Sequence, residues 1–350
     1  MTASSYHDTV NVLQGLCQPA PSPFERSEWF ALLAESGLTP LVVLASDGES
    51  NAALALTEAN GRIEPLRNWY SFTWRQLAPD GPAGEKLLTE IAAQLRARSH
   101  RITLWPVPEE DGSASRLERA FTAAGWKVQR SQCDENHVLP VNGRSFAEYW
   151  AGRAGRMRTT LKRKAKKVEV QLLDTFDAEA WDAYEAIYAD SWKVAEDQPE
   201  LLRRFAIQEG GAGRIRLAIA RHDSMAVAAQ FWTVEDGTAY IHKLAHLESH
   251  KNLSAGTTLT AALFEHVIDK DHVKLVDFGT GNDPYKRDWM EEVRPRYQLD
   301  CLDPARAKAW APLAKRSFAA MRSKLASLQA MQSKAKRVFR FLRRGSVKSL

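Results

Sequence analysis

The sequence predicts an α+β fold built twice in tandem, each copy a mixed, mostly antiparallel sheet flanked by helices. Three observations carry this. Short strand-like runs follow one another with turn signals between them, as at Asp47-Gly48 and Asn60-Gly61. A glycine-bearing loop then feeds an amphipathic helix and a further strand. The same order returns in the second half. Ala83-Gly84 and Ala255-Gly256 lie 172 residues apart, and at that spacing Leu87, Ile91, Leu95 and Leu104 meet Leu259, Leu263, Val267 and Val276.

Taken in order, residues 1–39 read as an irregular lead-in, with Pro19, Pro21 and Pro23 before a short helix from Glu25 to Glu35. Leu41–Ala45 (LVVLA) is apolar throughout and reads as a buried strand. Ala52–Glu58 and Arg62–Leu66 are the arms of a hairpin. An aromatic stretch follows, with Trp69, Tyr70, Phe72 and Trp74. Glu85–Arg98 places Leu88, Ile91, Ala92 and Leu95 on one helical face. Ile102–Trp105 is a strand, and Ser115–Ala124 a helix stopped by Gly125. Trp126–Arg130 and Asn136–Leu139 are two further strands. Past a basic segment, Val168–Leu173 is a strand. Asp177 caps a helix running to Trp192, with Trp181, Tyr184, Ile187 and Tyr188 inward. Leu201–Gln208 is another helix. Ile215–Ala220, Ala226–Val234 and Ala239–Ala245 are strands, Gly256–Lys270 a helix, Val273–Phe278 a strand, and Tyr297–Leu302 the last strand. Leu313–Leu342 reads as a long basic amphipathic helix.

At 350 residues the chain has room for two full cores. The expected division is 1–140, 141–303 and a basic tail, 304–350. Cys17, Cys133 and Cys301 lie far apart, which argues against a disulfide framework or a zinc site and suits a reducing compartment. The start, MTASSYHDTV, lacks the basic and apolar regions of a signal peptide, and no apolar run approaches the ~20 residues of a membrane span. Residues 304–350 hold 13 of the 48 Lys and Arg and none of the 43 Asp and Glu, so the rest of the chain is mildly acidic. Such a tail seeks phosphates or an anionic membrane surface. A second basic run, Gly152–Lys167, holds eight Lys and Arg. It reads as a solvated helix face or a phosphate-binding surface. It lacks interleaved aromatics for base stacking, so no nucleic-acid partner is expected.

The stretch Lys274–Met290 (KLVDFGTGNDPYKRDWM) runs from an apolar strand through Gly279 and Gly281 into a short helix opened by Asp283-Pro284. Asp277 ends the strand, and Tyr285 and Lys286 ride on the helix. The free N–H groups that open the helix after Leu253 suit an anion, which marks Asn252, Ser254, Ala255, Gly256 and Thr257. On the strand Ala239–Ala245, His242 and Lys243 point to opposite faces. One of them is expected to face the cleft; His242 is either a base or a packed, hydrogen-bonded histidine, and Lys286 either holds a phosphate or substrate carboxylate or is solvated.

The second half resembles the BioF2-like (cellulose-biosynthesis-type) family of GNAT acetyltransferases, and the duplication resembles the tandem GNAT arrangement of FemAB-like proteins. Three stretches carry the resemblance: RMRTTLKRKAKKVEV, NLSAG with the helix after it, and DFGTGNDPYKRDWM. Ala255 stands where the family usually has proline. The resemblance covers roughly residues 145–302 and implies two tandem GNAT-like domains, the first degenerate for donor binding. It implies acetyl-CoA or a longer acyl-CoA as co-substrate, with no permanently bound cofactor and no metal. Tyr285 would protonate the leaving thiolate, Asp277 orient the amine, His242 serve as base and Lys286 hold a phosphate. Trp192, Glu196 and Lys243 would face the substrate. The implied acceptor is an amino sugar or sugar-lipid in bacterial exopolysaccharide assembly; a long-chain amine is the alternative. A cytoplasmic chain, or one peripheral on the inner membrane, is expected. The rival from another class is a non-catalytic nucleotide- or membrane-binding module.

Overall fold

The computed structural model describes residues 2–16, 20, 22–59, 61–316 and 318. Among them twelve strands join in one continuous sheet. The first half supplies β1 (Ala3–His7), β2 (Pro40–Ser46), β3 (Asn51–Ala59), β4 (Arg62–Pro65), β5 (Arg101–Val107) and β6 (Lys127–Pro140). The second supplies β7 (Glu169–Leu173), β8 (Ile215–His222), β9 (Met225–Glu235), β10 (Thr238–His246), β11 (Leu275–Thr280) and β12 (Glu292–Leu302). The order across the sheet is β1-β2-β3-β4-β5-β12-β6-β11-β10-β9-β8-β7. It reads alike from both ends, which is the duplication made visible. The two central strands are exchanged: β12 lies against β5 of the first half, and β6 against β11 of the second. Only β4–β5 and β10–β11 run parallel.

The eight residues matched at the 172-residue spacing are all fully buried, so core packing is what preserves that register. In the second half the sheet is covered on both faces. α6 (Ala178–Ala189) and α7 (Pro199–Gly211) cover one face, and α8 (Ala255–Asp269) the other, with α4 (Phe146–Ala151) and α5 (Gly155–Lys164) against it. Along β8, Leu217 and Ile219 join one core and Ala218 and Ala220 the other, the alternation a strand imposes. In the first half α1 (Ser27–Glu35), α2 (Pro82–Arg98) and α3 (Ser113–Ala123) do the covering, and α9 (Pro284–Trp289) closes the second half near the sheet's centre.

Two expectations change. β1 falls in the expected lead-in; its sequence, ASSYH, carries no apolar alternation, and it forms by pairing His7 to Ala3 against Val42 to Ser46. The two strands expected over 126–139 are one strand of 14 residues. Its polar middle stays extended because β12 pairs along it from Lys127 to Val138, with Cys133 as the extra residue of a bulge. The basic helix expected over 313–342, and any membrane contact it would make, lies almost wholly outside the described residues. No helix among the described residues is long and apolar enough to cross a membrane.

Candidate active site

β10 and β11 pair at only three positions, Thr238↔Leu275, Ala239↔Val276 and Tyr240↔Asp277. Beyond these β10 follows β9 and β11 follows β6, so the two strands part into a V. Both strands cause this. On β10 the register against β9 jumps from Ile241↔Trp232 to Lys243↔Phe231, leaving His242 as a bulge residue. On β11, Gly279 adopts φ +70°, and a Cβ there would lie 2.8 Å from the Phe72 ring. The bend is braced from below. The Asp277 carboxylate accepts from Gly279 N at 2.7 Å and Asn136 Nδ2 at 2.9 Å. The Lys286 ammonium donates to the Gly279 carbonyl at 3.4 Å and to the Thr280 carbonyl.

The first half has the same V, since β4 and β5 share one pair, Ile63↔Ile102. There it is filled. Residues 66–77 fold back into it: Trp74 N donates to the Pro106 carbonyl at 3.0 Å, and its indole to the Ala55 carbonyl at 2.8 Å. The helix starts differ in the same way. A Cβ on Gly84 in α2 would sit 1.9 Å from the Pro79 carbonyl oxygen, so that start is covered by its own loop. A Cβ on Gly256 in α8 would meet nothing nearer than His246 Nδ1 at 3.7 Å.

α8 begins after Ser254, whose φ of +54° turns the chain, and no side chain caps its first amides. Unsatisfied N–H groups and the helix dipole leave positive potential there. Lys164, from the basic α5, adds its ammonium, which donates to Ser254 Oγ at 3.3 Å and to the Asn252 carbonyl. Ser254, Gly256 and Thr257 are partly exposed, Asn252 exposed and Ala255 buried. The turn marked in the sequence thus presents Asn252, Ser254, Gly256 and Thr257 at the surface, with Ala255 buried behind them.

The V itself is a cleft of about 450 Å³. Lys243 enters it, nearly buried, with its ammonium 2.9 Å from Glu196 Oε1 and 3.7 Å above the Trp69 ring. Tyr70 donates its hydroxyl to the same oxygen at 2.7 Å. Burial lowers the Lys243 pKa to about 8, outweighing the pull of Glu196. Lys193, also on the cleft, is lowered to about 8 by burial. Tyr285 lines the opposite wall, edge-on to Phe278, and is more than a third exposed. Burial followed by the Asp283 charge pushes its pKa up, which keeps the phenol protonated. Trp192 stands at the rim, half exposed, with its ring against His246.

Lys243, Trp192, Tyr285 and Lys286 therefore line the cleft, and Glu196 meets the Lys243 ammonium from beside it. Asp277 lies buried beside it, engaged with Asn136 and Gly279, and burial raises its pKa. The His242 ring packs among Phe24, Phe72, Phe205 and Phe231, and its Nε2 meets Thr233 Oγ1 at 2.8 Å. Burial lowers its pKa to about 3, so it is neutral. Tyr70, in the aromatic stretch expected to shape the acceptor cleft, reaches Lys243 from the first half; sequence reasoning missed Tyr188, which reaches it from α6. Tyr184 and Tyr188, one helical turn apart on a packed face, were the available signal, since buried phenols need partners.

Residues 155–287 match the acetyltransferase (GNAT) domain family. That span holds the V, the open start of α8, Glu196, Lys243 and Tyr285. Solved structures extend the likeness over both halves. FemX aligns with a TM-score of 0.59 at 10% identity, covering 85% of this chain and 96% of FemX. The C-terminal domain of a protein assigned as a lysylphosphatidylglycerol synthetase from Agrobacterium fabrum aligns at 0.55 and 12% identity, covering 82% and 91%. L-PGS from Bacillus licheniformis aligns at 0.52 and 11%, covering 85% and 96%. At these identities the likeness establishes the fold. No curated protein sequence matches the chain. The fold is two GNAT-like halves on one sheet, with one V open and the other filled.

Proposed function

We propose that the chain is an acyl-CoA-dependent N-acyltransferase, of BioF2-like type, that modifies an amine in the bacterial envelope. The observation that carries this is the open V between β10 and β11, set between an uncapped helix start and a lysine–carboxylate–phenol group. From Ile241 to His246, β10 has no β11 partner, so an extended donor chain can pair with its backbone. The donor's phosphates rest on the amides of Gly256 and Thr257 beside Lys164. Its thioester then lies between Lys243 with Glu196 on one side and Tyr285 on the other. The β10 amides facing the V are placed to receive the carbonyl oxygen as it gains charge.

The acceptor ammonium gives one proton to Glu196 and on to solvent, and the neutral amine attacks the thioester carbon. A C–N bond forms and a C–S bond breaks; the attacking nitrogen sheds its second proton to solvent, and the thiolate takes the Tyr285 proton, which solvent restores. Lys243 fixes Glu196 in place. In this reading Asp277, Lys286 and His242 shape the V: all three are buried and committed to neighbours within the fold. Names among the structural neighbours, such as lysylphosphatidylglycerol synthetase, support an envelope setting and supply the rival, transfer from a donor that is not a thioester.

The test is thiol release by the full chain from acetyl-CoA and longer acyl-CoA with a panel of amines. Amine-dependent release, lost in Tyr285→Phe, supports the reading. No release, together with no acyl-CoA binding by calorimetry, overturns it.

A further inference from the structure

Beside the V, between α6, α7 and residues 193–199, lies a second cavity of about 400 Å³. Tyr188 and Lys193 line both, so the two spaces adjoin. That volume falls within the ~300–1,000 Å³ of small-molecule sites. Its walls are Trp181, Tyr184, Tyr188, Pro199 and Leu202, with Glu196 at the end nearest Lys243. Two buried polar atoms on this lining have no protein partner: Glu196 Oε2 and the Tyr184 hydroxyl. Glu196 is nine-tenths buried and Tyr184 almost wholly so. Leaving such atoms unpaired costs ~1–3 kcal/mol each, which a ligand recovers.

The chemistry of the walls selects the ligand. A sugar brings a hydroxyl on almost every carbon, and each must find a partner when buried. The lining offers only three, Glu196 Oε2, the Tyr184 hydroxyl and the Lys193 ammonium, too few for a sugar's hydroxyls. The other carboxylate, Glu185, is held by Arg203 and the Trp181 indole. An alkyl chain needs no partners and suits rings, proline and leucine. An ammonium needs a carboxylate and gains from ring faces. The protein already shows this pairing: Lys243 puts a primary ammonium on Glu196 Oε1, above Trp69 and 4.4 Å from the Tyr70 ring centre. Oε2 of the same carboxylate is the vacant counterpart. The cleft mouth is also apolar, since Trp69, Trp192, Val194 and Tyr285 are all exposed around it.

We infer that this cavity receives the acceptor, a primary amine carried on an unbranched apolar chain, with its ammonium at Glu196 Oε2 and its chain between α6 and α7. The amine's role as acceptor rests on the acyl-transfer reading, but its binding is testable without a donor. The full chain is titrated calorimetrically with n-octylamine, n-octanol and glucosamine as probes, with no acyl-CoA present. The expected result is saturable binding of octylamine, at least tenfold weaker binding of octanol, and none of glucosamine. Ala189→Trp, at an exposed position on the cavity lining, fills the space without disturbing the core and weakens octylamine at least tenfold. Glu196→Gln does the same. Equal binding of octanol, tight binding of glucosamine, or octylamine binding untouched by Ala189→Trp overturns the inference. Octylamine binding without thiol release from any acyl-CoA counts against the transfer reading alone. Glucosamine-driven thiol release with octylamine inert counts against the acceptor alone.

Discussion

Replacing Lys243 by methionine removes a cation that the fold holds at a cost. In the folded chain its pKa is about 8, against 10.5 in an unfolded one. Between those values the unfolded state binds the extra proton, so this lysine makes stability rise with pH and takes that gain away as pH falls towards 8. The gap, at ~1.36 kcal/mol per pH unit, is worth about 3 kcal/mol across the window. Contacts of the cation with the Trp69, Tyr70 and Tyr188 rings favour the charged form, so that figure is an upper one. The assay is urea unfolding followed by tryptophan fluorescence for the wild type and Lys243→Met, from about pH 7.5 to 10.5. The difference in unfolding free energy between them should move by about 2–3 kcal/mol in the wild type's favour as pH rises, whatever the offset at pH 7.5 from stranding Glu196. Parallel curves would mean that the lysine titrates normally and that the cleft is wetter than its burial implies.

The site's geometry sets three further outcomes. Tyr285→Phe should lower kcat about a hundredfold with KM for the donor within about twofold, and a donor with a more acidic thiol should recover part of the loss. An unchanged kcat removes the phenol from the chemistry. Lys164→Ala should raise the donor KM about fivefold at low salt, the size of one charge-assisted contact, with the difference fading near 0.5 M salt; a salt-independent change would deny the phosphate surface. Gly279→Ala forces a left-handed residue and a methyl into the Phe72 ring, so about 2–4 kcal/mol of stability should go. A Phe72→Leu background should return part of it, and a neutral Gly279→Ala would show that β11 can straighten.

Local pattern revealed most elements, because buried strands and amphipathic helices repeat their apolar residues at fixed periods. The paired positions from Leu87 and Leu259 onward exposed the duplication for the same reason. Pairing between distant strands has no such local mark. Nothing around Lys127 announces Leu302 as its partner, so the exchange at the sheet's centre stayed hidden. The site divides similarly. Tyr285 and the Asn252–Thr257 turn sit in contiguous motifs and were readable. The Lys243–Glu196–Tyr70 group joins three segments, with Glu196 47 residues from Lys243 and 126 from Tyr70, and only folding brings them together. For His242 the packed, hydrogen-bonded alternative is the one the fold adopts, because neighbours from four other segments silence its charge-capable ring.

The exchanged central strands also set a schedule for the chain's birth on the ribosome. β6 is complete at Pro140, yet its neighbour on one side, β12, does not exist until Leu302 has been made. At ~5–20 residues per second, the roughly 160 intervening residues take about 8–30 seconds to synthesise. Throughout that interval β5 and β6 must wait with unpaired flanks, exposed to one another's copies on adjacent ribosomes. The polar run Arg130–Glu135 in β6, with Arg130, Asp134 and Glu135 charged, is well suited to keeping such a waiting strand in solution until its partner emerges.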